Sequence, residues 1–279
     1  MSQAKEKKAG SRTVDLLWTG GWDSTYRLLH LLLINKFAVN IHYIISRRQS
    51  IFKEMETMIK IQEKIFKTYP ETVSLFKKMV FFSKNCIPDD KEITERTKNL
   101  KKIMYIGSQY EWIIRYARAF YLTGIEMSIH VDDKAAAHVE QQVEFIQESD
   151  GHSYWRLKKG VSKEDDLSVF SIFHFPIIKL SKLDMKDSAK KYGFENILNM
   201  TWFCHTPIRG KPCGVCHPCR YSLDEGMGFR FPLSSVLRYK WMYDPSIRKI
   251  RYFIQYIHRT LKKMFNHASN QSNDKKEVS

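Results

Sequence analysis

The chain has 279 residues and a formal net charge of +16, from 46 Lys and Arg against 30 Asp and Glu. This length allows one large α/β domain, or one medium domain with a small appended module. No apolar run approaches the about 20 residues that cross a bilayer, and no apolar stretch follows the lysine-rich start as it would in a secretion signal. We therefore expect a soluble, cytoplasmic protein.

The positive charge has two interpretations. A basic surface attracts polyanions such as tRNA, DNA or nucleotides, through forces that are salt-sensitive and independent of base sequence. In many basic proteins, however, the excess lysines only improve solubility. The charge alone therefore leaves nucleic-acid binding open.

Strand and helix patterns alternate along the first two thirds of the chain. Short β-branched and aromatic runs predict strands, and apolar residues at a helical period predict helices. In chain order we predict strand 14–18, helix 24–34, strand 39–45, helix 51–69, strand 79–82, helix 111–122, strand 126–131 and helix 183–192. This alternation predicts a parallel sheet with helices on both faces. Ligands bind such sheets beyond the carboxyl ends of the strands, so the glycine turn after the first strand is expected in the active site.

The turn after the first strand reads Thr19-Gly20-Gly21-Trp22-Asp23-Ser24-Thr25. Its two glycines allow the backbone to approach an anion closely, and the hydroxyl groups of Thr19, Ser24 and Thr25 can donate to the anion's oxygens. The next helix directs its N-terminal amides at the same place. These features predict a phosphate site, although a glycine turn with a capping serine would have a similar sequence.

The same run closely resembles the Ser-Gly-Gly-x-Asp-Ser signature of the PP-loop ATP pyrophosphatases, with Thr19 in place of the first serine. The resemblance implies an adenine nucleotide α-hydrolase fold, which is Rossmann-like. It also implies cleavage of ATP between the α and β phosphates, with adenylation of a substrate oxygen. All seven residues of the turn are then expected to bind ATP, with Asp23 and Ser24 also acting in catalysis and magnesium held near Asp23.

Two further segments carry the resemblance to this family. Backbone near the end of the second strand holds adenine in the family, which points here to Tyr43, Ile44 and Ile45. The segment at 176–182, Pro-Ile-Ile-Lys-Leu-Ser-Lys, resembles the family's stretch before a helix whose lysine reaches the ATP phosphates. Lys182 is therefore a candidate for nucleotide binding and catalysis, although any surface lysine at a helix start would look alike.

Four of the five cysteines predict a metal site. Cys204, Cys213, Cys216 and Cys219 are separated by eight, two and two residues, a spacing that folds tightly around one ion. Thiolates at this density favour tetrahedral zinc with a structural role, and iron–sulfur ligation is the competing interpretation. The neighbouring His205 and His217 are surface polar residues or substitute ligands. The remaining Cys86 is expected to be an incidental thiol.

The glycine turn and the cysteine spacing together resemble the 7-cyano-7-deazaguanine synthase family over residues from about 15 to 226. This resemblance implies that the carboxylate of 7-carboxy-7-deazaguanine is adenylated and attacked by ammonia, and that a second ATP converts the amide to the nitrile. The expected cofactors are ATP, Mg²⁺ and Zn²⁺.

The sequence departs from this family at two places. The family has Pro-Gly-Arg-Asn before its central helix, whereas this chain has Ile106-Gly107-Ser108-Gln109. The family loop Ser-Gly-Tyr-Pro-Asp-Cys-Arg, which recognises the deazapurine after the fourth strand, is replaced by residues 132–138, Asp-Asp-Lys-Ala-Ala-Ala-His. Asp132 and Asp133 are the candidates for contacting a guanine-like substrate or magnesium, and the alternative is that they only cap the strand end.

Three functions therefore stay open. The first is deazaguanine synthesis from a small molecule. The second is a related ligase that conjugates a deazapurine to a protein or other amine, as relatives recruited into anti-phage defence systems are thought to do. The third is a tRNA-modifying PP-loop enzyme, supported mainly by the basic charge.

The composition changes after residue 232, where basic and aromatic residues become frequent. Apolar residues between 247 and 265 recur at the period of an amphipathic helix, for which we favour packing on the catalytic domain or a homodimer contact over docking to nucleic acid, a membrane surface or another protein. The predicted organisation is a disordered tail 1–12, a PP-loop ATP-binding domain 13–200, a zinc-binding segment 201–232, a basic helical extension 233–267 and a disordered tail 268–279.

Overall fold

The computed structural model describes residues 12–46, 49–104, 106–247, 250, 253, 254 and 257. The chain divides into two compact units, Met1–His205 and Thr206–Ser279. Most of both predicted tails and most of the predicted helix at 247–265 lie outside the described residues. Within those residues, no helix has both the length and the apolar character needed to cross a membrane.

The first unit contains all the strands of the described residues. They are β1 (Thr13–Leu17), β2 (Ala38–Ile45), β3 (Phe76–Ser83), β4 (Ile125–Glu126), β5 (Val143–Gln147), β6 (Ser153–Leu157) and β7 (Phe173–His174). Five of them form a parallel sheet in the order β3-β2-β1-β4-β7, while β5 and β6 pair as an antiparallel hairpin.

Helices connect the strands in the first unit, and further helices make up the described part of the second unit. The α-helices of the described residues are α1 (Trp22–Leu29), α2 (Ile51–Thr68), α3 (Lys91–Ile103), α4 (Gln109–Ala119), α5 (Ala136–Val139), α6 (Lys182–Lys191), α7 (Glu195–Leu198), α8 (His217–Asp224) and α9 (Leu233–Tyr243). A π-helical segment, His30–Asn35, continues α1, and short 3-10 helices occur at Pro70–Leu75, Lys84–Cys86, Glu140–Gln142, Asp166–Ile172 and Met227–Arg230.

The order of the strands reverses beside β1. The chain moves outward from β1 to β2 and β3, and then returns to place β4 on the other side of β1. Because crossovers between parallel strands are right-handed, this reversal puts α1 and α2 on one face of the sheet and α3 and α4 on the other. The predicted α/β class, with a parallel sheet covered on both faces, is confirmed. The switch point lies at the carboxyl ends of β1 and β4, where such sheets bind ligands.

Apolar periodicity explains the elements that flank this point. In β1, Val14 and Leu16 are buried while the residues between and beside them are partly exposed, as expected for a strand. In α2 the buried side chains Met58, Ile61 and Ile65 follow the spacing of one helical face. A large core of buried side chains from α3, α4, β4 and β7 includes Tyr110 and Phe173.

The fourth strand is shorter than the predicted strand 126–131. From Met127 onward the chain still donates backbone hydrogen bonds, from Met127 to the His174 carbonyl and from Val131 to the Leu180 carbonyl. The ladder with β1 stops at Glu126, which pairs with Leu16, one residue before the end of β1. The residues after β4 therefore form a loop over the carboxyl edge of the sheet.

The described part of the second unit contains Cys213, Cys216 and Cys219, together with α8, a 3-10 helix and α9. Ser235 at the start of α9 donates to the Pro212 carbonyl at 2.5 Å, and Arg238 donates to the Cys213 carbonyl at 2.7 Å. These bonds fasten α9 to the cysteine segment. The opposite side of α9 carries exposed apolar side chains at Leu233, Leu237 and Trp241.

Candidate nucleotide site and metal centre

The glycine turn lies between β1 and α1, at the switch point of the sheet. Gly20 has φ of +68°, which favours glycine, and a Cβ on it would lie 2.9 Å from the Met58 side chain on α2. The Gly20 carbonyl accepts a hydrogen bond from the Trp202 amide at 3.1 Å. The turn is therefore tightly enclosed by its neighbours, and the first glycine is required for its backbone path.

The N-terminus of α1 has the properties of an anion site. Gly21 is the N-cap residue, so the start of the helix has no side-chain cap. Amides at a helix start lack partners within the helix, so an anion can accept from them. A helix without a side-chain cap at a ligand-binding edge therefore fits the predicted phosphate site.

The three hydroxyl groups of the turn occupy different environments. Thr19 is exposed, and Ser24 is buried with its hydroxyl 3.4 Å from the Thr19 amide. Thr25 is fully buried, and its hydroxyl accepts a hydrogen bond from the Trp18 indole at 2.9 Å. Thr19 and Ser24 are therefore the better placed of the three to reach a ligand, whereas Thr25 stabilises the turn from beneath.

The loop after β4 meets the glycine turn through a buried histidine. The Nε2 atom of His130 lies 4.0 Å from Oδ2 of Asp23, and its Nδ1 atom lies 3.8 Å from Oδ2 of Asp132. The structure thus brings together two of the predicted site regions, the ATP turn and the candidate substrate loop. The histidine between them was not identified from the sequence, although its place near the carboxyl end of the predicted strand 126–131 was a usable signal.

The two acidic candidates in this loop differ in their bonding. Asp133 accepts from the Ala135 amide at 2.9 Å and lies 3.4 Å from the Tyr110 hydroxyl. Burial and the Asp133 carboxylate both raise the pKa of Tyr110, so its hydroxyl remains a donor at neutral pH. Asp133 is therefore held by the loop itself. Asp132 is exposed and is better placed to contact a substrate.

The candidate adenine segment lies at the carboxyl end of β2. Tyr43, Ile44 and Ile45 pair with β3, and the Tyr43 hydroxyl donates to Glu54 on α2 at 2.9 Å. The Tyr43 side chain is thus directed into the core, where it is 1% exposed. Recognition of adenine here would involve the backbone at the strand end, and it stays a prediction.

Lys182 is the first residue of α6. Ser181 and Asp184 form a capping box at this helix start, which explains why the helix begins there. The helix also contacts α1, since the Tyr26 hydroxyl lies 2.9 Å from the Ser188 hydroxyl. Lys182 is therefore on a helix that packs beside the helix of the ATP turn, and its contact with phosphate stays a prediction.

A buried ion pair lies beneath the proposed nucleotide site. Arg27 on α1 donates to both carboxylate oxygens of Glu126 on β4, at 2.7 and 2.6 Å, and the His152 Nε2 atom lies 2.8 Å from the same carboxylate. Burial alone would raise the pKa of Glu126, but the charge of Arg27 and the hydrogen bonds from Arg27 and His152 lower it to about 2. The pair joins the helix that follows the glycine turn to the strand that precedes the substrate loop.

Four cysteine sulfur atoms converge as the spacing predicted. The Sγ atoms of Cys204, Cys213, Cys216 and Cys219 all lie within 4.8 Å of one another, and all but Cys216 are buried. The Cys213 and Cys219 sulfurs are 3.8 Å apart. Zinc–sulfur bonds of about 2.3 Å in a tetrahedron place the sulfurs about 3.8 Å apart. The cysteines therefore fit a single zinc ion, whereas four irons, each bound by its own cysteine, would hold the sulfurs farther apart.

The backbone around Cys213 supports thiolate ligation. The amides of Val215 and Cys216 donate to the Cys213 sulfur at 3.4 and 3.2 Å, which compensates negative charge on it. Gly214 has φ of +82°, and a Cβ there would lie 2.1 Å from the Ser235 carbonyl oxygen. His217 is exposed on α8, and the convergent ligand set in the described residues contains cysteines only. Cys86 is exposed.

Comparison with known proteins agrees with this architecture. The five-stranded parallel sheet, with the glycine turn at its switch point, defines an α/β protein that also carries a four-cysteine centre. The family of the queuosine biosynthesis protein QueC matches residues 14–226, so the chain belongs to the QueC family. Its members are ATP-dependent enzymes.

The other comparisons are weaker. No curated protein sequence matches the chain. Among solved structures, it is similar to the U34-tRNA thiolase NcsA from Methanococcus maripaludis with its [4Fe-4S] cluster, with 12% identity, a TM-score of 0.37, and coverage of 88% of this chain and 73% of that chain.

Proposed function

We propose that this protein is an ATP-dependent, AMP-forming ligase that adenylates a carboxylate of the 7-carboxy-7-deazaguanine type for attack by a nitrogen nucleophile. The observation that carries the proposal is the meeting of the glycine turn and the loop after β4, where His130 lies 4.0 Å from Asp23. A nucleotide on the turn and a substrate on the loop would then be adjacent. Family membership supports the use of ATP.

The chain's part in this reaction is positioning and charge stabilisation. When the substrate carboxylate attacks the α-phosphate, negative charge increases on the phosphate oxygens and pyrophosphate leaves. The amides at the start of α1 and the Ser24 hydroxyl donate to those oxygens, and Lys182 contributes a positive charge. Asp23 would hold magnesium, whose positive charge would offset the negative charge of the phosphates. No nucleophilic side chain is required.

The four cysteines have a separate role in this proposal. Four thiolates complete a tetrahedral shell, so the zinc ion they would hold has no open position for substrate. They therefore stabilise the chain around 204–219 and do not take part in the adenylation.

A second candidate differs only in the nitrogen acceptor. The family's recognition loop is replaced by residues 132–138, where Asp132 is exposed and α5 begins at Ala136. A changed loop at the substrate side favours a changed acceptor, so an amine on a protein is the alternative to ammonia.

The experiment combines the enzyme, ATP, 7-carboxy-7-deazaguanine and ammonium. We expect the deazapurine to stimulate AMP formation, and Ser24→Ala to reduce it by about 10²-fold or more, as for the loss of one transition-state donor. Ser74→Ala is a matched control, because Ser74 is exposed on a 3-10 helix that precedes β3, at the opposite edge of the sheet.

Mass spectrometry of small molecules and intact proteins identifies the acceptor. An amide or nitrile in solution indicates ammonia, and a mass adduct on a protein indicates an amine on that protein. If the deazapurine neither stimulates AMP formation nor appears in any product, the substrate assignment is wrong.

A further inference from the structure

The loop after β4 fixes the orientation of the His130 ring. The backbone amide of Asp132 donates to the His130 Nδ1 atom at 3.3 Å, so this nitrogen is an acceptor. In a neutral imidazole the other nitrogen then carries the proton. The Nε2–H group therefore points toward the glycine turn. The ring is 6% exposed, which leaves it little freedom to turn.

The carboxylate that this group faces has an unpaired side. Oδ2 of Asp23 lies 4.0 Å from the His130 Nε2 atom. Oδ1 of Asp23 is buried and has no hydrogen-bond partner among the described residues. A buried carboxylate oxygen without a partner carries a desolvation penalty, which a bound ligand or cation would relieve. Asp23 is thus arranged to present one oxygen to a ligand while His130 faces the other.

A second buried group lies on the same loop. Ser128 precedes His130 by two residues, and its hydroxyl is also buried without a partner among the described residues. One buried polar atom of the turn, Oδ1 of Asp23, and one of the loop therefore lack hydrogen-bond partners in the part of the chain that the structure describes.

We propose that His130 is a positioning residue that sets the Asp23 carboxylate for the nucleotide and couples it to the substrate loop through Asp132. The inference rests on the proposed function. The Nε2–H group faces Asp23 on the glycine turn, while Nδ1 accepts a hydrogen bond from the Asp132 amide on the substrate loop. One rigid ring therefore connects the turn to the loop. The distance of 4.0 Å is longer than a hydrogen bond. Such contacts commonly tighten when the substrate binds.

Two substitutions separate this role from simple packing. Gln places an amide nitrogen near the position of Nε2, so His130→Gln keeps a donor toward Asp23. Asn places its amide near Nδ1, so His130→Asn keeps a group for the Asp132 amide and loses the donor toward Asp23. Ser74→Ala is the control, because Ser74 is exposed on the 3-10 helix that precedes β3 and lies outside the loop 132–138.

The measurements are kcat and KM for ATP in AMP formation, together with the Mg²⁺-dependent Kd of a non-hydrolysable ATP analogue and the thermal midpoint. We expect His130→Asn to lower kcat by ~10–100-fold, the range for loss of a group that orients a ligand-holding residue, with His130→Gln within about fivefold of the wild type. Ser74→Ala should leave all values within about twofold. In an Asp23→Asn background, His130→Asn should have little further effect, because the residue it orients has been altered.

The outcomes separate this inference from the proposed reaction. Equal loss in the Gln and Asn variants, in proportion to a lower thermal midpoint, would show a packing role and overturn the inference. A His130→Asn variant as active as Ser74→Ala would also overturn it. If the wild type forms no AMP but the analogue binds several-fold more weakly to His130→Asn than to His130→Gln, the proposed reaction is wrong and the positioning role stands.

Discussion

The glycine turn and the loop after β4 face each other, yet they differ in the groups they present. The turn presents backbone amides, with the left-handed Gly20 and a start of α1 that has no side-chain cap. The loop presents side chains, chiefly His130 and Asp132. A backbone arrangement is difficult to change without altering the chain path, whereas side chains are replaced one at a time. We therefore expect single substitutions to alter the loop more readily than the turn.

The cysteine centre resembles the turn in one respect, because its geometry also depends on the conformation of the backbone. We expect Cys216→Ser to abolish stoichiometric zinc binding and to lower solubility or the thermal midpoint by a large margin, because zinc bound by four thiolates contributes about 10 kcal/mol or more to folding. Elemental analysis and thermal denaturation measure both effects.

The exposed Cys86 provides the control for this prediction. Cys86→Ser should retain about one zinc per chain and the wild-type midpoint. A wild type without zinc, or one with iron and sulfide, would contradict the assignment.

The ion pair between Arg27 and Glu126 connects α1, which follows the glycine turn, to β4, which precedes the loop. Arg27→Met should lower the free energy of unfolding by about 3 to 5 kcal/mol, because it leaves a buried carboxylate without its countercharge. Urea denaturation followed by fluorescence measures this change. The double variant Arg27→Met/Glu126→Gln removes the charge as well, and it should recover much of the loss. A double variant as unstable as the single one would show that packing, not charge, explains the effect.

The Glu126 carboxylate should also make the free energy of unfolding depend on pH in the acid range. The pKa of Glu126 is lowered from 4.5 to about 2, so its contribution is present above the unfolded value and is lost as the pH falls from about 4.5 toward 2. We expect the free energy of unfolding to decline over this range, and Glu126→Gln to reduce the decline. Denaturation at a series of pH values measures it, and parallel curves for the two proteins would contradict the account.

The two acidic residues of the loop provide the smallest expected effects. Asp132→Ala should weaken stimulation of AMP formation by the deazapurine about tenfold, as for one charge-assisted hydrogen bond, with little change in stability. Asp133→Ala should lower stability by about 1 kcal/mol, because its carboxylate accepts from the Ala135 amide. The opposite pattern in the two variants would reverse these assignments.

The parts that the sequence predicted share a local origin. The glycine turn, the helix start after it and the cysteine spacing depend on residues close together in the chain. The metal centre could also be predicted, because two overlapping C-x-x-C steps allow the short segment few conformations other than one that brings the sulfurs together. Helices α2 and α6 were predicted to within about two residues, since their apolar periodicity is strong.

The parts that were missed depend on distant contacts. Helix α3 has only three buried residues in a charged segment, and one of them is the polar Thr97, so few apolar residues mark it in the sequence. The hairpin of β5 and β6 and the two-residue strand β7 were not predicted, because such short strands depend on tertiary pairing. The contact between His130 and Asp23 joins residues from two strand ends, and it follows only once the strand order β1-β4 is known.

The central claim is that the glycine turn directs cleavage of ATP between the α and β phosphates. The most direct test is to incubate the purified protein with ATP labelled at the α-phosphate, Mg²⁺ and 7-carboxy-7-deazaguanine, and to separate the labelled products while assaying pyrophosphate. The account predicts labelled AMP with an equal amount of pyrophosphate, and loss of both in Ser24→Ala. Formation of labelled ADP with orthophosphate by the wild-type protein would contradict it.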